Sequence, residues 1–328
     1  MILKKKIYRK EVDIKLLMYV IFLMRGLGLL VIKQVQEIIN QLKGHSLNRI
    51  YYIGSGEALA PAYAVEYIAD REAENIAIEI YNTSEFLYRK PAALGEKSVV
   101  VLCSDEGSKE LEAAQYATEK KAITISLSTN EDSLLKREVD YFLIHDNQNV
   151  NSLLNSTYSS LYLLTTGIIQ ERESNSYHDL YQGMIRNLEN VDTVLTKAKN
   201  YYKSFVDEFV EFATEKNITV ISSGTNYSQA IYMAANKRIK EKSIGLNVVH
   251  AGEFINYQQF YNTRKEHVIL IFMGLDSTRP IEEEALSLIY KNKERVFVFD
   301  AEDIDFTGIE RPFAKVFSPL IFSEILRI

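Results

Sequence analysis

Two short turns in the chain are built from residue types that hold anions. Gly54-Ser55-Gly56 and Ser222-Ser223-Gly224, with Asn226 just beyond the second, each close a β-rich run and precede a helical one. Small residues let the backbone approach a ligand, and hydroxyls add donors. A helix starting there offers free N–H groups and the positive end of its dipole. Two further loops, Ser104 to Lys109 and Gly274 to Arg279, follow later apolar runs, and the first brings Ser104, Gly107 and Ser108 together. A tight strand-to-helix turn uses the same residues with no ligand, so residue type alone leaves both readings open.

The turns recur at a fixed spacing. Gly56 and Gly224 are 168 residues apart, and so are Glu85 and Glu253, in Ser84-Glu85-Phe86 and Gly252-Glu253-Phe254. The strand-like segments Ile76 to Ile80 and Leu246 to Val249 lead into that second pair. With a slip of about one residue, Val99 to Cys103 matches Val268 to Phe272. Each is an unbroken apolar run, as expected of a parallel strand buried on both faces. Helices are expected over Pro61 to Asp70, Lys109 to Glu119, Ser228 to Lys240 and Ile281 to Tyr290. Fourth strands are expected over Ala122 to Ser126 and Arg295 to Phe299, and candidate fifth strands over Tyr141 to Ile144 and Phe313 to Phe317. Alternating strands and helices with short connections predict an α/β protein of two tandem doubly wound parallel-sheet domains with connecting helices. In such a sheet ligands bind outside the carboxyl ends of the strands, where all four loops lie. The expected division is a helical segment at 1–45, a first module at 46–150, linking helices at 151–203 and a second module at 204–328. Leu153, Leu154, Tyr158, Leu161, Tyr162 and Thr165 recur at helical spacing in the linking region, as a core or dimer stripe does.

Composition narrows the partners. The chain has 328 residues, 47% of them hydrophobic, enough for about two domains with a buried core. A formal net charge of −6 with dispersed basic residues argues against nucleic acid. The lone cysteine, Cys103, forms no internal disulfide, which fits a cytoplasmic protein, and metal-ligand spacing is absent. At the N-terminus, basic residues precede an apolar run from Leu16 to Ile32, broken by Arg25. The run lacks a small-residue cleavage site and is shorter than the ~20 residues a span needs, so it reads as a buried helix rather than a membrane anchor. Val31 to Leu42 reads as an amphipathic helix.

Particular phrases carry a family resemblance over about residues 45 to 328. Ser84-Glu-Phe-Leu-Tyr-Arg-Lys90 resembles the isomerase domain of glucosamine-6-phosphate synthase. His250-Ala-Gly-Glu-Phe254 and Leu275-Asp-Ser-Thr-Arg-Pro280 are more similar to fructoselysine- and fructosamine-6-phosphate deglycases. Both are SIS (sugar isomerase) proteins, with flavodoxin-like modules. The resemblance implies a phosphorylated sugar or fructosamine bound between two modules, in a homodimer or higher homo-oligomer, with no metal or organic cofactor. It implies a glutamate that carries a proton between C1 and C2 of the open-chain sugar. The matching residue is Glu241, which otherwise reads as one more charge in the run Lys237 to Lys242. The implied substrate contacts are Gly54, Ser55, Gly56, Ser104, Gly107, Ser108, Ser222, Ser223, Gly224, Asn226 and Glu253.

The chain also departs from that pattern. A hydroxyl residue usually ends the first turn, where Glu57-Ala58 stands. The loop usually written Ser-x-Ser-Gly-x-Thr is Ser104-Asp-Glu-Gly-Ser108. If Glu57, Asp105 and Glu106 face inward they repel a phosphate, by roughly 3 kcal/mol for a pair of charges about 5 Å apart. If they face solvent, the backbone donors remain free. The ring-opening histidine of the synthase branch falls at Asn256, which is no base; His250 is the substitute. The lysine-bearing tail of the family has no matching lysine in residues 318–328. Two functions follow from these features: a phosphosugar isomerase or deglycase, or a sugar-phosphate-binding or regulatory protein on the same fold.

Overall fold

The computed structural model describes residues 30–103, 107–145, 156–173, 179–235, 243, 245–257, 267–291 and 295–326. Two parallel sheets form the frame. The first contains β1 (Arg49–Gly54), β2 (Ala77–Asn82), β3 (Ser98–Cys103), β4 (Ile123–Ser128) and β5 (Tyr141–Ile144), in the order β2-β1-β3-β4-β5. The second contains β6 (Asn217–Ser222), β7 (Gly245–His250), β8 (His267–Met273) and β9 (Val296–Asp300), in the order β7-β6-β8-β9. Each order reverses direction between its first and third strands, which is where a doubly wound sheet opens a crevice.

The 168-residue register holds in space. Arg49 pairs with Ala77 and Asn217 with Gly245, so both members of each pair are shifted alike. Arg49 pairs with Ser98 and Asn217 with His267, which is the expected slip of one residue. Every residue of β3 is buried because helices cover both faces of its sheet.

Ten helices are described: α1 (residues 30–42), α2 (Ala60–Glu72), α3 (Thr83–Arg89), α4 (Ser108–Glu119), α5 (Thr157–Arg172), α6 (Leu180–Ala213), α7 (Tyr227–Ala235), α8 (Ala251–Tyr257), α9 (Arg279–Lys291) and α10 (Arg311–Ile325). Helices α3 and α4 cover the outer face of the first sheet, and α8 and α9 that of the second. The others form a shared middle layer whose core runs continuously from Val31 through both sheets to Leu326. In α1 the buried residues Val31, Val35, Ile38, Ile39 and Leu42 keep helical spacing. Ile39 packs so closely on α5 that a Cβ at Gly167 would lie 2.8 Å from it.

One expectation needs correction. Phe313 to Phe317 is not a fifth strand but the first half of α10. Pro312 at the helix start presets its backbone angle, and Phe313, Val316, Phe317 and Leu320 line up every three or four residues against the core. Within it, Pro319 offers no N–H to the Lys315 carbonyl, and the Thr225 hydroxyl approaches that oxygen at 3.1 Å. The next carbonyl, on Val316, accepts from the Tyr162 hydroxyl at 2.5 Å. The stripe of Tyr158, Leu161, Tyr162 and Thr165 on α5 is core, and the burial extends all round the helix from Thr157 to Ile169 because it lies between the sheets.

The apolar N-terminal run before residue 30 lies outside the described residues, as do Leu153 and Leu154. No helix among the described residues is long and apolar enough to cross a membrane.

Candidate functional site

The two Gly-Ser turns are folded alike. Gly56 has φ +61° and Gly224 has φ +53°, each beginning a single 3-10 turn before a helix. A side chain there would place Cβ against its own carbonyl, so glycine is the residue that fits. At Gly54 the constraint is a close approach instead: a Cβ would lie 2.2 Å from the carbonyl oxygen of Cys103 on β3.

The turns differ in what faces them. In the first module Ser55 and Gly56 are exposed and Glu57 and Ala58 half-buried. Ser55 Oγ accepts from Asn82 Nδ2 at 3.3 Å, and Asn82 in turn caps α3 by accepting from the Ser84 N–H at 3.0 Å. Among the described residues, a Cβ at Gly56 would meet nothing nearer than Ala235 Cβ, 3.9 Å away at the end of α7. The turn of the first module thus opens towards the second. Beside it, Gly107 caps α4 and Ser108 begins that helix, half-buried and exposed respectively. Glu110 folds back against Gly107 and accepts from the Thr83 hydroxyl at 2.9 Å. Lys109 reaches Ser84 Oγ at 2.7 Å, placing a cation at the carboxyl edge of this sheet. Ser104, Asp105 and Glu106 lie outside the described residues.

In the second module the equivalent groups are turned inward. Ser222, Ser223, Thr225 and Asn226 are fully buried. Ser222 Oγ donates to the Phe272 carbonyl at 3.1 Å. Glu282, from α9, accepts from the Ser223 N–H at 3.1 Å, the Ser223 hydroxyl at 2.9 Å and the Gly274 N–H at 2.7 Å. Burial pushes the Glu282 carboxyl up to about 7, against the lowering effect of those donors. Asp276 accepts from the Thr225 N–H at 3.0 Å and the Thr225 hydroxyl at 2.8 Å with one oxygen. Its other oxygen accepts from the Thr278 N–H and hydroxyl, at 2.8 and 2.6 Å. Asn226 Oδ1 accepts from Ser318 Oγ at 2.9 Å. The Asp-Ser-Thr-Arg-Pro phrase therefore supplies structural groups. Arg279 grips Asp300 through two parallel hydrogen bonds of 2.8 and 2.9 Å and donates to the Gly274 carbonyl at 2.9 Å.

Between the turns lies an aromatic seam where α2 meets α7. Tyr63 and Tyr227 touch edge to face with centroids 6.1 Å apart, and Tyr227 meets the His250 ring at 5.5 Å. Burial raises both tyrosines, with smaller contributions from Glu85 at Tyr63 and from Glu253 at Tyr227. His250 ends β7, and its Nδ1 accepts from the Gly252 N–H at 3.2 Å, which leaves Nε2 as the ring's remaining nitrogen for proton exchange. Glu253 lies exposed in the first turn of α8, matching Glu85 in α3. Asn256 folds back onto the Gly252 carbonyl at 3.0 Å. Tyr67 of α2 reaches across to Ser277, hydroxyl to hydroxyl at 3.2 Å. Glu241 lies outside the described residues, six positions beyond Ala235. Reading the sequence assigned no role to Lys109, Tyr63, Tyr227, Asp276 or Glu282. For Asp276 the only signal is its place in a loop that follows an apolar run, and for Glu282 its place in the first turn of the helix after that loop.

Comparison with known proteins agrees with this architecture. Residues 45–167 match the SIS domain model. Fructosamine deglycase FrlB of Bacillus subtilis (strain 168) is 31% identical over 301 residues, covering 90% of each chain. A human glutamine–fructose-6-phosphate aminotransferase (isomerizing) 2 is 22% identical over 59% of this chain and 28% of that protein. Among solved structures, a Bacillus subtilis protein classed as a phosphosugar isomerase superimposes with a TM-score of 0.82 at 29% identity, covering 90% of both chains.

Proposed function

The chain belongs to the SIS domain family, and from that premise we propose that it is a fructosamine-6-phosphate deglycase with Glu241 as its base. The observation that carries the reading is the first-module turn facing the end of α7, with Ser55 and Gly56 exposed. A phosphate held by the N–H groups and hydroxyls of Gly54 to Gly56 and Gly107 to Ser108 lies beside the end of α7, six residues before Glu241 in the chain. Lys109 supplies a charge that offsets Glu57. The relative FrlB, a fructosamine deglycase, supports the substrate class.

The chemistry needs little else. A carboxylate takes a proton from C1 of the open-chain fructosamine, and C2 receives a proton in return. That moves the carbonyl oxidation level from C2 to C1, where the amine is attached. Water then adds at C1 and the amine leaves, giving glucose 6-phosphate. His250, through Nε2, is the group placed to assist ring opening, since Asn256 cannot take a proton.

The test is release of free amine and glucose 6-phosphate from a panel of fructosamine 6-phosphates. Turnover by the native chain, lost in Glu241→Gln with binding retained, is the expected result. Binding without turnover across the panel would favour the second reading, a sugar-phosphate-binding protein. That reading draws support from Glu57 at the turn and from Asn256 folded back on its own helix.

A further inference from the structure

The two halves of the chain are built on one plan, and the second turn is filled from within. Matching glycines at positive φ, matching 3-10 turns and matching strand registers make the turn at Gly224 the counterpart of the turn at Gly56. A Cβ at Gly224 would lie 2.5 and 2.6 Å from the two carboxylate oxygens of Asp276, whereas at Gly56 the nearest neighbour among the described residues is Ala235 Cβ at 3.9 Å. Asp276 is 5% exposed and receives two backbone N–H groups and two hydroxyls, the donor set an external anion would take from such a turn.

We propose that Asp276 is a built-in anion that closes the second module's turn, so that this turn takes no external phosphate. The reasoning runs through the donors. The Thr225 N–H is buried and needs an acceptor, the half-buried Thr278 N–H shares the same carboxylate, and the Thr225 hydroxyl has only one proton to divide between Asp276 and the Lys315 carbonyl. Without the carboxylate those donors surround a space of its own size. Glu282 closes the other side by taking the Ser223 and Gly274 N–H groups. The same knot presents Ser277 to Tyr67, so closing the second turn also fixes how α2 of the first module meets the second. That the chain binds a sugar phosphate at all rests on the proposed function; the occupancy of the second turn by Asp276 does not.

The experiment is anion rescue. Asp276→Ala is compared with the native chain in chloride, acetate and inorganic phosphate at constant ionic strength. The variant is expected to melt lower in chloride. Acetate or phosphate is expected to recover about 2 °C more than in the native chain, the size expected for a ligand at ten times its Kd. Asp276→Asn, which fills the space without charge, is expected to show no recovery. Equal responses of the native chain and Asp276→Ala would overturn the proposal. If the alanine variant does not fold, crystals of the native chain soaked in phosphate decide: density within hydrogen-bond distance of the Thr225 N–H overturns the idea, and a second turn without density supports it. Failure of the native chain to bind glucose 6-phosphate would sink the reading of the first turn while leaving the rescue result to stand by itself.

Discussion

Gly56, on the turn of the first module, faces Ala235, at the end of α7 in the second, with 3.9 Å between Ala235 Cβ and the place where a side chain at Gly56 would begin. This gap joins the first Gly-Ser turn, the proposed phosphate site, to the end of α7, six residues before Glu241 in the chain. Gly56→Val is expected to fill it. The left-handed backbone adds a cost of roughly 1–2 kcal/mol for a residue with a side chain, more for a β-branched one. The expected outcome is a melting temperature lower by a few degrees and an affinity for glucose 6-phosphate at least about tenfold weaker, read by calorimetry. Unchanged affinity would mean that the phosphate sits elsewhere.

Gly54→Ala tests packing rather than binding. Its Cβ would meet the Cys103 carbonyl at 2.2 Å, and that oxygen belongs to the central strand and cannot swing away. Strands β1 and β3 would have to part, at about 2–4 kcal/mol by comparison with other overpacked cores. Gly95→Ala is the control. Its nearest neighbour is the Lys120 carbonyl at 3.8 Å, an ordinary contact, and its φ is not in the left-handed region. Urea unfolding of the two variants is expected to separate them clearly, with Gly95→Ala within about 0.5 kcal/mol of the native chain.

These glycines show what was legible in the sequence. A repeat of 168 residues located both turns, the strands beside them and the paired segments that carry Glu85 and Glu253, because a turn motif and a buried strand are local patterns; that those segments are short helices appears only in the structure. The repeat could not say what faces a turn. Asp276 lies 51 residues from Thr225, and Glu282 lies 59 from Ser223, so their closing of the second turn appears only once β8 and α9 are in place. The misread segment at Phe313 to Phe317 has a different cause. Its aromatic and β-branched residues suit a strand, but Phe313, Val316, Phe317 and Leu320 also fit a helix, and packing between the sheets selects the helix. Pro319 would argue against a helix were it not for Thr225 and Tyr162, which approach the carbonyls at the kink from elsewhere in the chain.

Lys109 lies in the first turn of α4, two residues beyond Gly107, and is held by Ser84 at 2.7 Å. If it offsets Glu57 for an incoming phosphate, Lys109→Met weakens glucose 6-phosphate by about five- to tenfold at low ionic strength, and the difference shrinks as salt screens the charge. The side chain is exposed and its contact with Ser84 contributes little to the fold, so the melting temperature is expected to hold. A salt-independent loss of affinity would point instead to an altered α4 terminus.

Glu282 sets a pH dependence whose sign can be worked out. Burial raises its carboxyl from 4.5 to about 7 in the folded chain. The folded state therefore holds this proton more tightly than the unfolded state. Below pH 4.5 both states are protonated and the group's contribution is fully present. As pH rises from 4.5 to 7 the unfolded chain ionises first, and stability is lost by up to about 3 kcal/mol, after which the curve flattens. Glu282→Gln has no proton to lose and is expected to lack that slope. Its single carbonyl oxygen cannot replace both carboxylate oxygens, which accept from Ser223 and Gly274, so a constant penalty of about 1–3 kcal/mol remains at every pH. Urea unfolding of native and variant chains between pH 5 and 8 separates the two effects. The difference between the curves should be largest at pH 5 and shrink towards pH 8, because the native chain alone loses stability on the way. A difference independent of pH would show that Glu282 is ionised in the folded chain throughout, held by its three donors strongly enough to cancel the cost of burial.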